Sequence, residues 1–306
     1  MILDAANSIK FGSSHVDRVY HGENFQFLGH DFSHTTDGSI VNGNGTYSAA
    51  GDPLLTDLIL NYQIIGAEAF TGCSNLTGVI LTNNVQRVME ETFRNCGITD
   101  LTIGRQVFFF GDQCFQNNAF TNVSLPTRSD QAMAFEGATF KDCSNLTGFT
   151  LPENCDSICD DMLRNCTSLT DVFLPTTLQT IGDSAFEDCT SLTGVNFQNI
   201  REIHRRAFNG CTSLTTIDIP SLDAIEAAAF GGCTALTTFN IRANVPPGRY
   251  GIGNVDYPGT PIDFLPSHLT EIHVPSGAPY TYVDNEGNTK NGWQNTFFSA
   301  TVIRDL

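Results

Sequence analysis

The feature that most constrains this chain is a cysteine that returns on a nearly fixed count. Cys73, Cys96, Cys143, Cys166, Cys189, Cys211 and Cys233 share one slot with Asn118, and the steps along that series are 23, 22, 25, 23, 23, 22 and 22 residues. Neighbouring slots keep the same time. Three residues before each lies Phe70, Phe93, Phe115, Phe140, Leu163, Phe186, Phe208 or Phe230, and three after it usually lies Leu76, Leu146, Leu169, Leu192, Leu214 or Leu236. Ile98 and Phe120 hold the latter slot in the two units shortened by one residue. An apolar-x-apolar triplet follows, as in Val79-Ile-Leu81, Val172-Phe-Leu174, Ile217-Asp-Ile219 and Phe239-Asn-Ile241. Alternation of period two marks a short strand with one face buried. Pro126, Pro152, Pro175 and Pro220 close four of these strands, where the missing N–H is harmless. The Ala-Phe-x-x-Cys piece predicts one short helical turn.

One strand and one turn cannot bury their own apolar side, so neighbouring units must stack. Each coil would bury about five large apolar side chains at roughly 1.5–3 kcal/mol apiece, enough to offset the ordering of its backbone. The expectation is a mostly β solenoid of about eight coils of 22–25 residues, each a short strand plus a short helical turn.

The pattern Ile-Gly-x-x-Ala-Phe-x-x-Cys-x-x-Leu-x-x-x-x-Leu-Pro resembles the BspA-like leucine-rich repeat family, found on bacterial surfaces, in some protist surface proteins and in phage-encoded proteins. The resemblance covers about residues 54–243. It implies a leucine-rich repeat array at 54–243, preceded by a small β module and a Gly/Asn-rich linker at 1–53 and followed by a capping region at 244–306. The last part, Leu269-Thr-Glu-Ile-His-Val-Pro-Ser-Gly277 with Tyr280, Tyr282 and Trp293, resembles the usual ending of such arrays, a final strand and an aromatic cap. Cys159-Asp-Asp-Met-Leu163 and Val107-Phe-Phe-Phe-Gly111 depart from the pattern.

Charge narrows the partners. With 33 Asp and Glu against 15 Lys and Arg the net charge is −18. Phosphate-rich ligands draw their affinity from basic side chains, so neither nucleic acid nor an anionic membrane suits this chain. Met1 to Lys10 lacks the basic start and apolar run of a secretory leader, and no apolar stretch approaches the ~20 residues of a membrane span. The expectation is a soluble chain with no visible export signal.

The other chemistry is sparse. Equivalent residues of stacked coils lie ~4.7–4.9 Å apart, within disulfide reach, but side chains in one slot point the same way, so the repeat cysteines read as reduced, buried, small apolar residues. Cys114, Cys155 and Cys159 lie outside the slot. Cys155-x-x-x-Cys159 has no second pair to complete a zinc site. His30 and His34 have the spacing of a helical metal site, but Gly29, Ser33, Thr35 and Thr36 favour a loop. Gly248 to Gly253 and Asn42 to Gly45 read as turns, because neither links a strand to a helix as a phosphate loop must. Glu90-Glu91 and Asp160-Asp161 read as exposed acidic residues. No cofactor, metal or catalytic residue is expected, and the chain reads as non-enzymatic.

What remains is surface. The outward positions of the later strands give a candidate binding surface of Asp171, Phe173, Asn196, Asp218, Asn240 and Arg242, with Phe173 as its aromatic anchor. Arg201, His204, Arg205 and Arg206 form a local basic cluster. At the other end, Ile9 to Gly22 and Asn24 to Phe27 read as strands about a Gly-Glu-Asn turn. Ile9 to Gly22 resembles the opening of phage virion proteins, Ile-x-x-Gly-x-x-x-Val-x-x-Val-Tyr-x-Gly. That resemblance implies a virion-attachment segment with Phe11, Val16, Val19, Tyr20, Phe25 and Phe27 as its apolar contacts. Together the two resemblances imply a phage virion structural protein. It would be held to other virion proteins by its N-terminal module, as a homo-oligomer such as a trimer, and would present the array to a protein or glycan at the host surface. The alternative is a bacterial cell-surface adhesin of the same repeat family.

Overall fold

The computed structural model describes residues 50–242 except 52, 54 and 128–130, then 269, 271–277 and 301–305, together with the backbone of short strands elsewhere. The chain divides into two units, Met1–Asn154 and Cys155–Leu306. Both are built from turns of a parallel β-solenoid, about eight in all, and the described residues contain no helix.

Each turn contributes two short strands, so each unit has two ladders. In the first unit, Asp57–Leu60, Gly78–Leu81 and Asp100–Ile103 pair in parallel with Val79 opposite both Leu58 and Leu101, and Asn122–Ser124 pairs with Gly148–Thr150. In the second unit, Asp171–Phe173 pairs with Gly194–Val195, and Thr216–Ile219 begins a run through Thr238–Ile241 and Glu271–Val274 to Ala300–Arg304. These are the triplets of the repeat. The near-constant count per turn keeps apolar residues facing inward in every strand, which is what a parallel register demands.

The second ladder is an addition to the expected coil. Ile64–Ile65, Arg87–Val88, Phe109–Phe110 and Ala134–Phe135 pair in the first unit, and Ser157–Ile158, Thr180–Ile181, Glu202–Ile203 and Ala224–Ile225 in the second. Its inward residues, Ile65, Val88, Phe110, Ile158, Ile181, Ile203 and Ile225, stand at the Ile position of the Ile-Gly pattern. Two residues are too few to show alternation, so this strand leaves no periodic signal. Ser39–Ile40, within the stretch expected as linker, also joins this ladder beside Ile64–Ile65.

The expected helical turn is corrected. Between the second strand and the cysteine slot, each turn places two residues in the left-handed region, five before and one before the slot. The nearer position holds Gly72, Asn95, Asn117, Asp142, Asn165, Asp188, Gly210 and Gly232, the residue types that adopt positive φ most readily. The farther holds Glu68, Glu91, Gln113, Ala138, Asp161, Ser184, Arg206 and Ala228, with φ between 50° and 56° except for Arg206 at 57°. A helix would spend its amides within one turn. Here they bond to the next coil: Ser184, Phe186 and Asp188 N–H donate to the carbonyls of Arg205, Ala207 and Asn209 at 2.8, 2.7 and 2.8 Å. The connecting arc is thus knitted to its neighbour like a strand.

Inside, the aromatic slot forms columns. Phe70, Phe93, Phe115 and Phe140 stack with centroids 5.3, 5.4 and 5.6 Å apart, and Phe186, Phe208 and Phe230 at 5.0 and 5.2 Å. Phe120, Phe149, Phe197 and Phe239 meet these columns edge-on. The cysteines form no disulfide with one another and, apart from half-buried Cys159, are buried. They do more than fill space. Cys96, Cys143, Cys189, Cys211 and Cys233 donate their thiols to the carbonyls of Phe70, Phe115, Leu163, Phe186 and Phe208 in the preceding coil, at 3.1–3.3 Å.

Near the ends, the array runs one strand beyond Glu271–Val274, because Ala300–Arg304 adds in parallel and folds back on Thr296–Phe297. In the N-terminal segment, Ile9–Phe11 pairs with Ser14–Val16 and Phe25–Phe27 with His30–Phe32, both antiparallel. The expected pairing across Gly22-Glu-Asn24 is therefore replaced by two local hairpins, whose strands are separated by only two residues including Gly12 or Gly29. His30 lies in a strand, not in a loop.

Candidate binding surface

The first ladder of the second unit places the sequence-predicted residues in two groups. Asp171 lies opposite Gly194 and Val172 opposite Val195, so Phe173 and Asn196, one residue further on, share the outward face with Asp171. All three are exposed. Phe173, at 65 % exposure, is the exposed large apolar side chain among the described residues. Burying such a ring is worth roughly 1.5–3 kcal/mol, so its position outside the core leaves that gain unused within the chain.

The second group is already engaged. Asp218, Asn240 and His273 follow one another across successive strands. Arg242 reaches back to Asp218 with two parallel bonds, Nε to Oδ1 at 3.0 Å and Nη2 to Oδ2 at 2.7 Å. The Arg242 hydrogen bond holds the Asp218 carboxyl below its usual range against a smaller opposing effect of burial. His273 Nδ1 lies 2.8 and 3.0 Å from the two carboxylate oxygens of Asp305. The sequence reading missed that pair. The Leu269-x-x-x-His273 spacing repeats Leu236-x-x-x-Asn240 and points to His273, whereas nothing in the chain marks Asp305, 32 residues on.

The other clusters are held in place by their surroundings. Arg201 pairs with Asp223 at 2.6 Å and His204 lies 3.6 Å from Glu202. The Arg205 amide donates to both Asp183 Oδ1 and Glu226 Oε2 at 3.0 and 3.1 Å. Burial raises the Glu226 carboxyl above its usual range, with the His204 charge opposing. Of the acidic pairs, Glu91 engages Arg94 at 2.9 Å, Asp161 engages Arg164 at 3.2 Å, and Asp160 Oδ1 accepts the Asp183 amide at 2.8 Å. Asp160 thus ties one turn to the next, while Glu91 and Asp161 each hold an arginine of their own turn. Among the described residues, no group of three or more His, Cys, Asp or Glu is arranged to hold a metal ion, and no helix is long and apolar enough to cross a membrane. The side chains of Phe11, Val16, Val19, Tyr20, Phe25 and Phe27 lie outside the described residues.

A parallel β-solenoid whose every turn repeats the aromatic, cysteine and leucine slots is a leucine-rich repeat protein. The chain belongs to the BspA type leucine-rich repeat family, whose region matches six times over residues 54–138 and 133–247, more than half of the sequence. No curated protein matches it. Among solved structures, a leucine-rich repeat protein from Bacteroides ovatus is similar at 24 % identity and a TM-score of 0.52, over 67 % of this chain and 60 % of that one. This chain therefore spans about 60 % of that relative's length. A leucine-rich cell surface protein from Faecalibacterium prausnitzii follows at 22 % identity and TM-score 0.42, over 66 % of this chain and 62 % of that one. The leucine-rich repeat protein of T. pallidum follows at 20 % and 0.45, over 67 % and 86 %. No enzyme family is indicated.

Proposed function

We propose that this chain is a non-catalytic binding protein displayed at a bacterial cell surface, where the outward face of its solenoid engages a host protein or glycan. Membership of the BspA type family, whose proteins act at cell surfaces, is the observation that carries this reading. The exposed Asp171, Phe173 and Asn196 supply a place for contact. The acidic exterior favours solubility and works against adventitious adsorption to phosphate-rich polymers.

The experiment is adhesion together with localisation. Purified chain is expected to bind immobilised mucin or cultured epithelial cells saturably, and antibody to residues 54–243 is expected to label the surface of the bacterium that produces it. Failure to adhere together with a purely interior signal would overturn the reading. One observation favours a second placement, on a virion: the Ile9 to Gly22 pattern. Labelling of purified phage particles instead of cells would select it.

A further inference from the structure

We propose that the exposed face beside Phe173 is a subsite for a neutral sugar ring; this rests on the surface-binding reading and names the ligand of that face. Asp171 and Phe173 project on the same side of one strand, and Asn196 projects from the next. Between them the floor is open. Gly194 stands directly opposite Asp171, and a Cβ built on it would meet nothing within 4 Å.

The polar atoms flanking this open ground are half committed. Asp171 Oδ2 accepts the Thr170 hydroxyl at 2.8 Å, which leaves Oδ1 to accept again. Asn196 Oδ1 accepts the Gln198 amide at 3.1 Å, which leaves the Nδ2 hydrogens to donate. This face therefore offers an exposed aromatic ring, one acceptor and one donor.

These three groups discriminate among ligands. A sugar ring has a face of polarised C–H bonds, attracted to the negative face of an aromatic ring, and a rim of hydroxyls that each donate and accept. A hydroxyl at the rim satisfies both Asp171 and Asn196. An anion would be repelled by Asp171. An apolar side chain would cover Phe173 but strand the carboxylate and amide, each at a penalty of about 1–3 kcal/mol. A lone cation would use Asp171 and leave the ring and the amide idle.

The test is saturation-transfer NMR on the full chain with three neutral probes: mannohexaose, cellohexaose and the hexamer of N-acetylglucosamine. At least one is expected to receive saturation at its ring C–H protons. Phe173→Ala and Gly194→Leu, neither of which disturbs the core, are each expected to weaken that binding roughly tenfold with an unchanged circular dichroism spectrum. Binding by none of the three, or binding undiminished in both variants, overturns the subsite. The two readings fail separately. Adhesion to mucin that persists in Phe173→Ala with no oligosaccharide bound sinks the sugar subsite and spares surface binding. Oligosaccharide binding without any adhesion or surface labelling does the reverse.

Discussion

The side-chain amide of Asn118 donates to the carbonyl of Phe93 at 2.8 Å. This is the bond that Cys96 makes to Phe70 and Cys143 to Phe115 with a thiol. The repeat slot therefore selects a donor of the right reach that tolerates burial. Asparagine meets that need at one turn because it also closes two further gaps, donating to the Phe115 carbonyl at 2.9 Å and accepting the Ile98 amide at 3.2 Å.

Removing the donor at the two kinds of turn should have unequal effects. Asn118→Ala strands the Phe93 carbonyl and the Ile98 amide in the core and leaves the Phe115 carbonyl only the weak Cys143 thiol, and is expected to cost about 3 kcal/mol or more. Cys211→Ala loses one weak thiol bond and a small volume, for about 1–2 kcal/mol. Urea denaturation of the two variants checks the order, and equal losses would refute the donor role.

The left-handed residues give a result of opposite sign from a helix. Ala228 sits at φ 56°, where a side chain is disfavoured by roughly 1–2 kcal/mol, so Ala228→Gly is expected to be neutral or stabilising by up to about 1 kcal/mol. In a helix the same change would destabilise by about that amount. Gly210→Ala is expected to be harmful, because φ is 75° and the new Cβ would run into the Asp188 carboxylate. Thermal melts of both variants decide it.

These arcs also mark how far the sequence can be read. Stacking was legible because inward residues such as Val79, Val172 and Ile217 recur at one register, and hydrophobic burial depends on that recurrence alone. The position before the cysteine carries a signal too, since Gly, Asn and Asp at Gly72, Asn95 and Asp188 advertise positive φ, but the helical-turn reading passed over it. Five residues before it, Glu68, Ala138 and Arg206 carry no such mark. Their conformation is imposed by amides reaching the next coil, a contact 22 or so residues away such as Glu68 N–H to Glu90 O at 2.9 Å. On the candidate face, strand alternation was enough to place Asp171, Phe173 and Asn196 together. The withdrawal of Asp218 into a fork with Arg242, and the meeting of His273 with Asp305, depend on side-chain reach between strands, which alternation does not encode.

The aromatic column should tolerate aliphatic replacement but not truncation. Phe208 lies between Phe186 and Phe230 and against the edge of Phe197 at 5.4 Å. Phe208→Ala opens a cavity and is expected to destabilise by about 3–5 kcal/mol. Phe208→Leu follows the precedent of buried Leu163 in the same slot and should lose about 1.5 kcal/mol or less. Guanidinium denaturation of the pair measures the difference.

The buried thiols predict loss of stability in alkali. Burial pushes Cys143 and Cys233 from the ordinary 9.0 up to about 12, and raises Cys211 well above 9.0. Below pH 9 these groups are protonated in folded and unfolded chains alike, and their contribution is fully present. Between about pH 9 and 12 the unfolded chain releases protons that the folded chain keeps, so stability should fall as pH rises, by about 1.4 kcal/mol per pH unit for each such thiol. Cys→Ser at positions 143, 211 and 233 keeps a donor in the slot and removes the titration, and should flatten the decline. Alkylation by iodoacetamide at pH 8 supplies an independent readout. It should be slow at these positions in the folded chain and fast in 8 M urea, and rapid labelling of the folded chain would refute the protonated, buried state.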